Sequence, residues 1–378
     1  MPLSISEIAW RIQSRIRTNK VSRQRARQYT SDIQYLETSI PFTCCQSLEP
    51  LQQSELGWEQ IKAPNNPDAL LPKNQIIQIT KPYFFEPNHG YMVDLDTRRY
   101  LRESVRYDSW MHIENNAWKY PLIYFGSPNR SFSSVQFQTV PRAISLTHAF
   151  PENYYHFVHD VIGRLPAVLP FITPESVVIL PAGSSDFAFA KELLAHPELR
   201  RFRFVDPKYT HVMADETILL SGGTPQKSDW LWIQEHLVNI EIASNRKKCL
   251  FVIRGTRPDG SFYDRSVLNE IDVVRHLNAA DVDTISFAGM PVSQQMELIN
   301  SYDHVISAHG AALTNICWVR NDSFALTEIH MADRKIDCYK TISATMGWKY
   351  NALIEGASFR RRGTTLYNVD VQHVLDAA

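Results

Sequence analysis

The residues best equipped for proton chemistry lie in one stretch, Asn153-Tyr154-Tyr155-His156-Phe157-Val158-His159-Asp160-Val161-Ile162-Gly163-Arg164. At a helical pitch of about 100° per residue, Phe157, Val161, Leu165 and Val168 form an apolar stripe, with Asn153, His156, Asp160 and Arg164 as a polar band beside it. A band of that kind borders the core and can line a cleft. His156 and Asp160, spaced i and i+4, can meet, so that the carboxylate orients the imidazole and raises its basicity. The plainer use of the same residues is an Asp160–Arg164 ion pair with His156 capping a neighbour.

Anion chemistry is written further along. Ser307-Ala308-His309-Gly310-Ala311-Ala312-Leu313-Thr314-Asn315 follows an apolar run and opens a predicted helix. Small residues at a strand-to-helix turn let backbone N–H groups approach a phosphate, the helix N-terminus adds partial positive charge, and His309 could add a donor. A tight turn in which Gly310 serves packing alone would read the same way. Arg254 ends the run Phe251-Val252-Ile253, where ligands of doubly wound sheets sit, and Arg265 is read as the start of the next helix, Arg265-Ser266-Val267-Leu268-Asn269-Glu270. Two arginines there would neutralise a diphosphate with a bidentate geometry that lysine lacks. Their alternative is surface pairing, Arg254 with Asp264 or Arg265 with Glu270.

Glu328 is a carboxylate in the apolar run Phe324-Ile329. Burying it needs compensation, either from two ribose hydroxyls or from an ion pair. Asp94-Leu95-Asp96 has the spacing that holds a divalent cation on a diphosphate, but ahead of Thr97-Arg98-Arg99 it reads more simply as a polar turn with local ion pairs.

The elements that must position these groups follow an α/β pattern. From about residue 245, predicted strands at Cys249-Ile253, Asp283-Phe287, His304-Ala308, Phe324-Ile329 and Tyr350-Ile354 alternate with helices near Ser266-Ala279, Val292-Tyr302 and Lys335-Met346. That alternation is the signature of a parallel sheet wrapped by helices, here without a GxGxxG fingerprint. A looser alternation covers 140–220, with strands at Ala143-Thr147, Ser176-Leu180, Arg203-Val205 and Thr217-Leu220 and helices starting near Asn153 and Asp186. Residues 221–247 read as the crossing between halves, and 35–135 as irregular, strand-containing structure of the first half.

A chain of 378 residues has length for two domains, and its 39 basic and 40 acidic residues nearly cancel, so no chain-wide field gathers a polyanion such as nucleic acid. Five cysteines, an odd count without metal-type spacing, fit a reducing compartment. Without an apolar run near the roughly 18 residues of a membrane span, or a signal-peptide core, a cytoplasmic location is expected. Residues 1–28 depart from the average, with Arg11, Arg15, Arg17, Lys20, Arg23, Arg25 and Arg27 against Glu7, and with Ile5, Ile8, Ile12 and Ile16 at helical spacing. Such a segment either lies peripherally on an anionic membrane, at the inner face of the cell membrane, or docks on its own protein.

Taken in order, Asn153-Tyr154-Tyr155-His156 with Asp160 and Arg164, then Arg254, Arg265-x-x-x-Asn269-Glu270, His309-Gly310-Ala311-Ala312-x-Thr314-Asn315 and Glu328, the chain resembles glycosyltransferase family 61 over about residues 140–330. The resemblance implies a GT-B architecture of two Rossmann-like domains facing across a cleft, inversion at the anomeric carbon, and no required metal or other cofactor. The chain is read as a basic amphipathic segment 1–34, an acceptor-side Rossmann-like domain 35–235 and a domain 236–378 for the nucleotide sugar. Arg254, Arg265, Asn269, His309, Gly310, Ala311, Ala312, Asn315 and Glu328 fall on the donor by motif match. His156 and Asp160 are the candidate catalytic pair, with Asn153 and Arg164 on the acceptor side. His156 stands ahead as base because an imidazole ordinarily titrates near neutral pH. The implied partners are a nucleotide-sugar donor and a glycan or lipid-linked glycan acceptor, in bacterial capsule or O-antigen assembly. Two rivals are a metal-dependent transferase using Asp94 and Asp96, and a non-catalytic nucleotide- or glycan-binding subunit of an assembly complex.

Overall fold

The computed structural model describes residues 138–378, apart from loop positions 149, 222–223, 241–244, 257–260, 334–335, 357 and 362–363. Before residue 138 it describes 45–46, 58–60, 70–72, 75–80, 82–86, 90–94, 99–100 and 104. The basic segment 1–28 and Asp96 lie outside the described residues.

The first sheet contains β1 (Gln75–Ile79), β2 (Tyr83–Phe85), β3 (Met92–Asp94), β4 (Gln138–Ser145), β5 (Ser176–Ile179), β6 (Phe204–Val205) and β7 (Val212–Ser221). Four of these run parallel in the spatial order β6-β5-β4-β7, which is the doubly wound order 3-2-1-4. On the other edge of β7, β1 and β2 pair antiparallel, and β3 extends that edge. Val177, Val178 and Ile179 are all buried, as a parallel strand covered on both faces requires. Asp94 therefore ends a strand of the antiparallel flank.

The second sheet is wholly parallel: β8 (Lys247–Ile253), β10 (Asp283–Ser286), β11 (Tyr302–Ala308), β12 (Ala325–Met331) and β13 (Lys349–Glu355), in the order β10-β8-β11-β12-β13. In chain order this is 2-1-3-4-5, so the winding reverses between β8 and β11. Helices α1 (Ala188–Leu194), α2 (Lys227–Leu237), α3 (Glu270–Ala279), α4 (Val292–Ile299), α5 (Cys338–Met346) and α6 (Val371–Ala377) accompany the two sheets. The turn after β11 continues as a 3-10 helix, Ala311–Trp318.

Two expectations need correction. The helix expected to open at Arg265 begins at Glu270, because Ser266–Val267 (β9) instead pairs with Leu366 and Tyr367 of β15 (Thr364–Tyr367), which also carries β14 (Phe359–Arg361). Arg265 has a left-handed backbone (φ 65°) and gives its N–H to Thr365 O. The helix expected from Asn153 is a helical run over 154–171 in which the α turn Tyr154–His156 passes into a π turn, Phe157–Val161, then a 3-10 turn, Ile162–Arg164. The π turn inserts one residue per turn, so the even pitch assumed from the sequence fails at His159 and Asp160.

A shared core joins the sheets. Ile144, Phe157, Val161 and Leu165 belong to the same buried cluster as Val252, Val305, Ile316 and Leu326. Helix α2 lies in that junction: Gln234 donates to Cys317 O (3.2 Å) and Lys227 to Met346 O (3.1 Å), while Trp230 packs on Gly163. A Cβ on Gly163 would fall 2.7 Å from the Trp230 ring, so a larger residue would push the helices apart. Among the described residues no helix is long and apolar enough to cross a membrane.

Candidate active site

In an open parallel sheet the ligand crevice lies beyond the carboxyl ends of the strands where the winding reverses, here the ends of β8 and β11. Arg254 follows β8 and His309 follows β11. The Arg254 guanidinium donates to His309 O (2.8 Å) and to Asp264 O (2.7 Å), so it lies across the turn. Gly310 makes room for it: a Cβ there would sit 1.7 Å from Arg254 Nη1. Its φ of 173° is extended backbone open to any residue, so space and not conformation demands the glycine. Glu270 holds the start of this loop by accepting the N–H groups of Arg254 and Gly255, each at 2.7 Å. Burial pushes the Glu270 carboxyl up, against the pull of those two hydrogen bonds and the Arg254 charge.

Arg265 stands near enough that its charge pulls the Arg254 guanidinium down, in addition to the effect of burial. Its Nε is 3.8 Å from Asp264 Oδ2. The Nε atoms of both arginines are buried without a hydrogen-bond partner. A buried unpaired donor costs about 1–3 kcal/mol, more when charged, and an anion would recover that cost at both positions. Beside them a cleft of about 660 Å³ opens, lined by Tyr154 and Phe189 from the first half and by Ile253, Arg254, Tyr263, Phe287, Ala311 and Ala312 from the second.

The turn is braced by a buried carboxylate. Glu328, wholly inaccessible on β12, contacts His309 Nδ1 in a short hydrogen bond and accepts Tyr350 Oη (2.8 Å) on its other oxygen, with His330 Nε2 at 3.3 Å. Burial alone would raise its pKa, but the hydrogen bonds and charges of the two histidines hold it below the usual carboxylate range. Burial depresses His309, the Glu328 contacts oppose this, and the Arg265 charge adds to it, leaving the imidazole below its ordinary value. Tyr339 seals the other side by donating to Gly310 O (2.7 Å).

A second buried carboxylate sits in the π turn. Asp160, 5% exposed, has His156 Nδ1 at 2.8 Å and His148 Nε2 at 3.4 Å on one oxygen, and His159 Nδ1 at 3.1 Å on the other. His148 Nδ1 accepts the Phe150 N–H (3.2 Å), so in the neutral ring the proton sits on Nε2 and points at Asp160. That tautomer turns an N–H of His148, and not a lone pair, toward the carboxylate. The same logic on His156 puts its proton on Nδ1 and leaves Nε2 as the basic atom. His156 is the most accessible of the three imidazoles, its side chain 18% exposed. His148 and His156 stack with centroids 4.4 Å apart.

Two tyrosines separate the clusters. Tyr155 stacks on His159 (4.9 Å) and meets Tyr339 edge-on (5.5 Å), and Tyr339 lies 5.5 Å from the His309 ring. Nearby, Tyr154 Oη donates to Asn315 Oδ1 and accepts Trp318 Nε1, both at 3.0 Å.

Residues 154–326, which carry His156, Asp160, both arginines and the His309 turn, match the family model described as Glycosyltransferase 61. Residues 154–326 thus carry a glycosyltransferase 61 domain, which makes the protein a glycosyltransferase. A search of curated proteins found no match.

Within this glycosyltransferase, several residues expected on a ligand are engaged in holding the fold. Asn269 is occupied at both ends of its amide by the backbone of Val369 (2.8 and 3.0 Å), which ties α3 to the strand-loop leading into α6. Asn315 is fully buried and spends its amide on Gln295 Oε1 and Ala312 O, besides Tyr154. Asn153 caps the helical run through the Tyr155 N–H (2.9 Å). Arg164 turns into the core, 1% exposed, and donates to Leu220 O (3.1 Å), so the band expected to face a cleft faces inward at that position. The expected surface pairs give way to backbone bonds: Arg254 uses the carbonyl of Asp264, and Glu270 uses backbone N–H groups. His148, His159, His330 and Tyr350 were not singled out from the sequence. His148 carried one available signal, since it lies three residues beyond the end of β4, where the first sheet's own winding reverses. The matched segment stops short of Glu328, His330 and Tyr350.

Proposed function

We propose that the enzyme moves a sugar, with inversion and without a metal, from a nucleotide-sugar donor to a glycan acceptor. The observation that carries the donor site is the pair of buried arginine Nε atoms without a hydrogen-bond partner at the winding reversal, beside the Gly310 turn. The leaving diphosphate lies against Arg254, Arg265 and the 310–312 backbone, with the nucleoside in the adjoining cleft. On the acceptor side, His156 Nε2 takes the proton of the attacking hydroxyl while Asp160 fixes the ring and offsets the imidazolium charge. Asp160 is the positioning group here, because its oxygens already receive three imidazoles. The two Rossmann-like sheets form a GT-B-type pair, with 35–235 on the acceptor side and 236–378 on the donor. The acceptor is a glycan on a lipid carrier in capsule or O-antigen assembly, met at an anionic membrane surface through residues 1–28.

A thermal-shift screen over nucleotides and nucleotide sugars tests the donor site, since a ligand of the folded state raises apparent stability. Stabilisation by one nucleoside diphosphate that disappears in Arg254→Ala and Arg265→Ala is expected. Equal stabilisation of both variants and wild type would remove the arginines from the site. Transfer undiminished in chelator is expected in the same assay, and loss restored by a divalent cation would reject the metal-free mechanism.

A further inference from the structure

The dyad on the donor side faces the same choice of tautomer as the one on the acceptor side, with the opposite chemical need. Glu328 is buried and held ionised, so the proton on His309 Nδ1 is committed to it. A neutral His309 then offers its remaining nitrogen, Nε2, as a lone pair, which repels a phosphate oxygen. To donate from Nε2 the ring must be an imidazolium.

We propose that nucleoside-diphosphate binding brings a proton onto His309, and that the resulting imidazolium, held by Glu328, faces the charge that develops on the leaving diphosphate. The proposal rests on the donor site described above. Its geometry is the His309–Glu328 contact, the Tyr350 hydroxyl and His330 on the second carboxylate oxygen, the Arg265 charge near the ring and Arg254 on the His309 carbonyl. The groups facing His309 are Glu328 and His330 from β12, Tyr339 from α5 and Arg265 from the loop before β9, with Arg254 on its carbonyl. Before an anion arrives, burial and Arg265 favour the neutral ring; a bound diphosphate reverses the local charge and favours the cation.

The step balances. The acceptor oxygen forms its bond to the anomeric carbon and its proton passes to His156 Nε2. The bond from that carbon to the phosphate oxygen breaks, and its electron pair stays on the diphosphate, opposite the His309 imidazolium. His309 keeps its proton until the nucleotide leaves. Glu328 and Tyr350 act through His309 and are positioning residues.

The test is isothermal titration of the full-length enzyme with UDP, and with GDP, ADP or dTDP in turn if UDP does not bind, in buffers of different ionisation enthalpy. The nucleotide's own phosphate titration is common to all variants and cancels in the comparison. Wild type should take up more protons than His309→Asn, by up to about one per site. Wild-type affinity should weaken as pH rises from the depressed value of His309 in the free enzyme, below that of an ordinary imidazole, to its higher value in the complex, by up to about tenfold per pH unit, and this slope should flatten in His309→Asn. Tyr350→Phe leaves Glu328 less well neutralised and should move the slope to higher pH, which loss of packing alone would not do. Equal proton uptake by wild type and His309→Asn, with both binding, would overturn the proposal. So would stoichiometric zinc retained through purification and lost in His330→Ala, because His309 Nδ1 would then be a ligand. If no nucleoside diphosphate binds wild type at all, the donor-site reading itself fails.

Discussion

The two buried carboxylates of this enzyme have similar shells and different neighbours. Asp160 gathers three imidazoles, with His156 at the solvent side; Glu328 gathers two imidazoles and a phenol, with the Arg265 charge near the ring it holds and Arg254 on that residue's carbonyl. A carboxylate behind an imidazole strengthens it as a base. A cation near such an imidazole, here Arg265, lowers its affinity for a proton. The same side-chain pair thus stands among imidazoles in one half and beside an arginine charge in the other, and the difference comes from residues outside the pair.

The sharpest way to break this contrast is at the acceptor side. His156→Ala should lose transfer by about 10²–10⁴-fold, the usual contribution of a general base, while nucleotide binding is unchanged. If Asp160 works through His156, the double variant His156→Ala/Asp160→Asn should transfer no more slowly than His156→Ala alone. A further large loss in the double variant would give Asp160 a chemical role of its own, measurable in a single-turnover assay.

On the donor side the effect should appear in binding. Arg254→Ala is expected to weaken nucleoside-diphosphate binding by about 10- to 100-fold, as loss of a charged hydrogen bond worth roughly 1.5–3 kcal/mol implies. Gly310→Ala should reproduce much of this, because its methyl group takes the place of the guanidinium. Wild-type affinity in Gly310→Ala would mean that Arg254 can move aside without cost, and the turn would lose its standing as a built site.

The smallest expected effect separates chemistry from assembly. Tyr154→Phe strips a hydroxyl from Asn315 and Trp318, two buried partners in the second half, and should destabilise the fold by about 1–3 kcal/mol. The melting temperature should fall with nucleotide affinity little changed. A selective loss of nucleotide binding instead would assign Tyr154 to the ligand, whose cleft it lines.

Much of the second sheet is legible in the sequence, because strands covered on both faces appear as apolar runs such as Leu250-Phe251-Val252 and Val305-Ile306. Arg254 and His309-Gly310 are legible for the same reason: they punctuate the ends of such runs. The π turn is not, since periodicity analysis assumes one pitch throughout. The strand Ser266–Val267 is not either, being two residues long and dependent on a partner about 100 residues away. His330 shares a face of β12 with Glu328, two residues before it, but Tyr350 becomes meaningful only when β13 is placed against β12, a contact that no local pattern encodes. Asn269 and Asn315 were marked by motif alone, and motif membership does not distinguish an amide that touches a ligand from one that holds the backbone beside it.

The π turn at Phe157–Val161 also sets a rule about chain length. Deleting one residue there would relax the run to an ordinary helix, and everything before it would rotate by about 100° relative to Ile162 and beyond. Tyr154 would swing away from Trp318, and His156 would no longer lie over Asp160. Deletion scanning should therefore find this surface-distant stretch intolerant of a single missing codon even where alanine substitutions of the same residues are accepted.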